Sequence, residues 1–115
     1  MVRNTASFVE LSNVRGGEGI MEKHEILTPA EMYAANKLFG KMVLRKGASI
    51  GLHQHVGESE AYYILSGNGL FTEDAAAPQP VSAGDICFIE EGHSHALANS
   101  GEEPLAFIAL VYPAK

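Results

Sequence analysis

G-A-S-I-G-L-H-Q-H-V-G-E-S-E-A-Y-Y-I-L-S-G, residues 47–67, decides how this chain is read. His53 and His55 stand two apart, so on an extended strand both side chains leave the same face, whereas on a helix they would diverge. Glu60 follows after four small or polar residues, enough chain to turn and offer a carboxylate from a second strand or its start. Two imidazoles and a carboxylate suit a first-row divalent ion. On His-x-His alone, a pair of surface histidines beside an acidic loop is an equally good reading.

Residues 84–99, G-D-I-C-F-I-E-E-G-H-S-H-A-L-A-N, shift that balance. His95, Leu97 and Asn99 alternate with Ala96 and Ala98, the pattern of a half-buried strand, and His95 makes a fourth ligand available. Together the two stretches resemble the two motifs of the cupin superfamily. Gly47, His53, His55, Glu60 and Gly67 fit the first motif at every position. Gly84, Gly92, His95 and Asn99 fit the second, and Glu90 stands where the family usually has proline. Such spacing over two motifs is far more specific than a lone short motif.

The resemblance implies a double-stranded β-helix, the jelly-roll barrel, with one divalent transition metal (Mn, Fe, Ni, Co or Zn) on His53, His55, Glu60 and His95. It implies dioxygenases, oxalate-type decarboxylases and sugar or keto-acid isomerases as the enzyme classes. It also suggests a homodimer, since the N-terminal arm of small cupins often pairs with a neighbouring subunit. Strand signals agree with the fold. Short apolar runs with turns every eight to twelve residues, one short helix and no internal repeat indicate an all-β sandwich or barrel. An immunoglobulin-like sandwich is the alternative, weakened by the absence of tryptophan and of a cysteine pair.

At 115 residues the chain is expected to form one domain, 1–115, with an N-terminal arm over 1–19 and the barrel over 37–112. Its single cysteine, Cys87, excludes an intramolecular disulfide and sits in the apolar run I-C-F-I, the setting of an inert thiol. No long apolar stretch opens the chain, so neither a secretory signal nor a membrane span is expected and the location is read as cytoplasmic. The net charge of −6, with no cluster of Lys or Arg, argues against nucleic acid and for a small-molecule partner.

Taken in order, residues 2–15 suggest an edge strand and residues 20–27 another, with His24 read as a solvated side chain. Thr28-Pro29-Ala30-Glu31 carries a capping box with proline at the first helical position, which predicts one or two helical turns to about Asn36. Residues 37–45 read as a strand on which either Phe39, Lys41 and Val43 or Met42 and Leu44 face inward. Glu60, Tyr62 and Ile64 share a face, so Tyr62 and Ile64 should line the cavity if Glu60 points at a metal, and Tyr63 and Leu65 must be covered from outside. Residues 86–89 suggest a buried strand. The apolar run 105–112 suggests one covered on both faces.

Three neutral nitrogens and one carboxylate leave about two positions open on a six-coordinate ion. The site keeps one net positive charge, which favours a carboxylate, oxo-acid or sugar-like ligand, anionic chelators above all. Zinc closed by all four side chains would instead be structural. Catalysis needs a proton carrier within reach. His93, two before His95, and Tyr62 are the candidates, while Glu58 and Glu91 read as solvated loop charges. The first reading is a metal-dependent enzyme of dioxygenase, decarboxylase or isomerase type and the alternative a non-catalytic binding module; an acid or base inside the cavity favours the former, an apolar lining the latter.

Overall fold

Side chains alternate between buried and exposed along most of the chain, and the computed structural model, which describes residues 1–114, arranges those described residues in ten strands. These are β1 (Val9–Ser12), β2 (Ile20–Leu27), β3 (Leu38–Leu44), β4 (Ser49–Gln54), β5 (Glu58–Ser66), β6 (Asn68–Glu73), β7 (Gln79–Ser82), β8 (Ile86–Ile89), β9 (Ser94–Asn99) and β10 (Leu105–Pro113). They form two antiparallel sheets, β1-β2-β3-β10-β5-β8 and β4-β9-β6-β7. The expected jelly roll is observed. Inward-facing Leu44, Ile64, Ile89 and Phe107 of the larger sheet meet Ile50 and Leu97 of the smaller one in a continuous core.

Strand parity resolves what sequence left open. Met42 and Leu44 face inward, which turns Lys41 to the outer face of β3 and away from the cavity. On β5 the inward set is Glu60, Tyr62 and Ile64, as the alternation predicts. Between Ile50 and His53 the register of β4 against β9 shifts: Ile50 opposes Leu97 and His53 opposes His95, so Gly51 and Leu52 together face one residue, Ala96. This bulge lets Ile50 and His53 share the inner face although they are three apart, and it throws Leu52 outward, 57% exposed.

The expectations for residues 28–36, 86–89 and 105–112 are corrected. The capping box of residues 28–31 forms, with Glu31 N–H donating to Thr28 Oγ1 at 3.1 Å and Thr28 N–H to Glu31 Oε1 at 2.9 Å. No helix follows, because Tyr33 and Ala34 adopt positive φ of 53° and 58° and close the segment after one turn, too short to repay helix nucleation. The chain's short helical element is instead a 3-10 turn over Val14–Gly16. Strand β8 is an edge strand with only Cys87 and Ile89 buried. Strand β10, although central, is fully covered on its inner face alone, since Ala106, Ile108, Leu110 and Tyr112 are partly exposed.

The outer face of the larger sheet consequently carries an apolar strip. Tyr63 lies opposite Ile86 and beside Ile108, and Ala61 lies opposite Phe88, with Ile86 and Phe88 more than half exposed. His24 is not solvated as expected: it is buried, its Nδ1 against the Thr5 carbonyl and its ring 4.9 Å from that of Phe8, so it anchors the N-terminal arm. Among the described residues no helix is long and apolar enough to cross a membrane.

Candidate metal centre

The bulged strand β4 presents His53, and the residue just past its end, His55, hydrogen-bonds through its backbone to His93 and Gly92 and so prolongs the ladder with the β9 side. His95 enters from β9 directly opposite His53, and Glu60 comes from β5 in the other sheet. One ligand atom from each of these four side chains lies within 4.8 Å of all the others. All four expected ligands are therefore brought together. Only His53 is partly exposed; His55, Glu60 and His95 are buried.

Hydrogen bonds fix which ring nitrogen looks inward. The Gly51 carbonyl accepts only, so His53 donates from Nδ1 to it at 2.7 Å and leaves the lone pair on Nε2. The Glu58 carboxylate does the same for His55, 3.0 Å from Nδ1. His55 Nε2 then faces Glu60 Oε1 at 2.9 Å and His95 Nε2 at 2.9 Å, while His95 Nε2 lies 3.1 Å from the same oxygen. Three polar atoms, one from each of these side chains, thus converge on one point. The His53, His55, Glu60 and His95 donor set fits a divalent cation, and the Nδ1 partners of His53 and His55 are contacts of the kind that orient histidines on a metal. His95 Nδ1 is buried with no partner, so His95 is held by packing, its ring 4.4 Å from that of His53 and 5.3 Å from that of Tyr62.

Electrostatics follow from these contacts. Burial holds His53 below the ordinary imidazole value, with further lowering from the neighbouring histidines and Arg15. His55 is raised, first by Glu60, whose carboxylate accepts from Nε2 once the ring is protonated. Burial pushes the Glu60 carboxyl upward, but its bonds to His55 and His95 outweigh this and leave it below the usual range. Glu60 is thus a carboxylate at neutral pH. Tyr62, fully buried beside that carboxylate, is pushed well above the ordinary phenol value and keeps its proton.

A cavity of about 240 Å³ opens beside His53, His55 and Glu60, with His95 buried behind them, smaller than the range typical of drug-sized ligands. Tyr62 lines it as expected, whereas Ile64 packs in the core below. The remaining wall is largely apolar, with Met42, Ile50 and Phe107 prominent. Glu58 is no solvated loop charge: its side chain is 15% exposed and joins Lys37 Nζ, at 2.9 Å, to His55. Lys37 and Arg15, neither singled out in the sequence, also line the cavity. No periodicity announces them, because each reaches the site from a segment outside the ligand strands.

His93 does not join the site. It lies in the turn before β9, its N–H donating to the Glu90 carbonyl at 3.1 Å, so the two-residue spacing to His95 is not the spacing of one strand. Its ring meets Asp74 instead, 2.6 Å from Nδ1, on a half-exposed surface. That contact raises the His93 pKa above 6.5, so its contribution to stability is full below the ordinary value and fades as pH rises through the raised one. Asp74→Asn should return His93 to the ordinary imidazole range in an NMR titration and leave metal content unchanged; an unmoved titration would exclude the pair as its cause.

The sequence profile described as "Cupin domain" matches residues 40–111. An oxalate-binding protein of Thermotoga maritima is 44% identical over 101 residues, which cover 88% of this chain and 83% of that protein. A crystal structure described as a predicted oxalate decarboxylase, also from Thermotoga maritima, superposes with a TM-score of 0.93 at 39% identity over 98% of this chain and 99% of the other. The cupin domain of Schizosaccharomyces pombe Cnp3 shares the fold alone, with a TM-score of 0.74 at 12% identity over 93% of this chain and 69% of that one.

Proposed function

We propose, from the premise that this chain belongs to the cupin family, that His53, His55, Glu60 and His95 hold one divalent transition metal and that the cavity above it captures a small carboxylate or oxo-acid, with oxalate the first candidate. The observation that carries this reading is the convergence of four ligand atoms, two of whose imidazoles have their inward lone pairs set by Gly51 and Glu58. Any of Mn, Fe, Co, Ni or Zn suits three nitrogens and one carboxylate. A bound ion would supply Lewis-acid attraction for carboxylate oxygens. The names of the Thermotoga relatives support the ligand class.

Capture is favoured over turnover by what lines the wall. Glu58 is committed to His55 and Lys37, Tyr62 keeps its proton and so does not act as a base, and His93 lies elsewhere. No uncommitted base stands beside His53, His55, Glu60 and His95 among the described cavity residues. The same reading takes residues 1–115 as one domain, located in the cytoplasm, a setting in keeping with the free buried Cys87. It also takes the protein as a homodimer, for which the apolar strip of β5 and β8 supports a contact surface.

Calorimetry of protein reloaded with Mn or Zn, against oxalate and a panel of α-hydroxy, α-keto and dicarboxylic acids, tests the proposal, with carbon dioxide and formate followed in air. Saturable binding of oxalate without product is expected. Catalytic product release would replace capture by an enzymatic role, and no binding to either loaded form would overturn the ligand class.

A further inference from the structure

Two observations outside the four ligands bear on which anions the cavity selects. The first is how the turn Val14–Gly16 is held. A side chain at Gly17 would stand 2.1 Å from the Ser49 carbonyl oxygen, and one at Gly51 would stand 2.2 Å from the Arg15 carbonyl oxygen. The turn and β4 thus touch backbone to backbone, a contact only glycine permits at both positions. Ser49 N–H donates to the Glu18 carbonyl at 2.8 Å, Glu18 N–H to Ser49 Oγ at 3.0 Å, and Asn13 N–H to the Gly19 carbonyl at 2.9 Å. Arg15, with φ 55° and ψ 33°, is therefore fixed above the strand that supplies His53.

The second observation is charge. The chain has three arginines. Arg3 is paired with Glu31, and Arg45 with Glu10 and Glu22. Arg15 lines the cavity and, among the described residues, pairs with no carboxylate, although acidic side chains outnumber basic ones 14 to 8. Lys37, also on the wall, is neutralised by Glu58. An unpaired guanidinium at the mouth of a small cavity in an acidic protein is placed for an anion from outside, and its planar fork matches a carboxylate.

We propose that Arg15 is the specificity residue of the cavity: it grips the second carboxylate of a ligand whose first carboxylate faces His53, His55, Glu60 and His95, so that the site selects dicarboxylate dianions over monoanions of similar size. This rests on the metal reading above. A divalent ion with Glu60 leaves one positive charge and Arg15 adds another, which a dianion balances and a monoanion does not.

The test compares wild type, Arg15→Gln and Arg15→Lys, each loaded with Mn, by metal analysis and by calorimetry against oxalate and against glycolate, a monoanion of nearly the same size. Arg15 is exposed, so both variants are expected to fold and to hold metal as wild type does. Arg15→Gln should weaken oxalate about 10- to 100-fold, the effect of one charge-assisted pair, and glycolate less than about 3-fold, with Arg15→Lys intermediate. Oxalate binding unchanged in Arg15→Gln, or an equal loss for both anions, would overturn the role of Arg15 while leaving the metal reading intact. Wild type that holds Mn but binds no oxalate would overturn the ligand class and this inference with it.

Discussion

His95→Ala is expected to lower metal retention by at least about tenfold, no less than the loss of an outer partner such as Glu58. His95 is fully buried, stands opposite His53 in the β4–β9 register, and places Nε2 within 3.1 Å of Glu60 and 2.9 Å of His55. Alanine removes that nitrogen and leaves His55 and Glu60 without the group that completes the set. His24→Ala is the control. That imidazole is also buried, but it binds the Thr5 carbonyl of the N-terminal arm and should leave metal content untouched. Elemental analysis of both variants after dialysis against a weak chelator decides the matter: equal metal in the two would remove His95 from the ligand set.

The second large effect is expected from Phe107→Ala, at about 3–5 kcal/mol of stability, the cost of truncating a fully buried aromatic ring. Phe107 sits in the middle of β10 between Met42 and Ile64 of the neighbouring strands, is fully buried, and packs on Tyr62 with ring centroids 4.7 Å apart. Its ring is both core and cavity wall. Denaturant unfolding should show the loss in the midpoint. A change below about 1 kcal/mol would mean that the surrounding side chains collapse into the space.

The proposed ligands were legible because their chemistry and spacing coincide. His53, His55, Glu60 and His95 are residue types that hold metal, set at intervals that extended strands bring to one face, and a one-residue bulge at Gly51 and Leu52 adjusts the inner face without disturbing the His-x-His pair. What escaped depends on tertiary approach. Glu58 lies only three residues from His55, yet nothing local distinguishes a carboxylate that orients an imidazole from one in solvent; the distinction comes from burial and from Lys37. Arg15 reaches the cavity because two glycines, one in its own segment and one in β4, let the backbones touch. The helix expected after Thr28 failed for a local reason instead: its capping box is satisfied, but Tyr33 and Ala34 turn left-handed before a second turn can form.

His53 and His95 belong to the four-stranded sheet, with His55 at the end of the same β4 ladder, whereas Glu60 belongs to the six-stranded one. An ion held by all four is a rivet through both layers of the barrel, and a chain that has lost its fold no longer offers that geometry. Free metal at about 100 times its dissociation constant would then add about 2.7 kcal/mol to the folded state by mass action alone. Heat resistance in this protein would then become a gauge of the metal supply around it: the same polypeptide would be robust in a replete medium and fragile in a starved one.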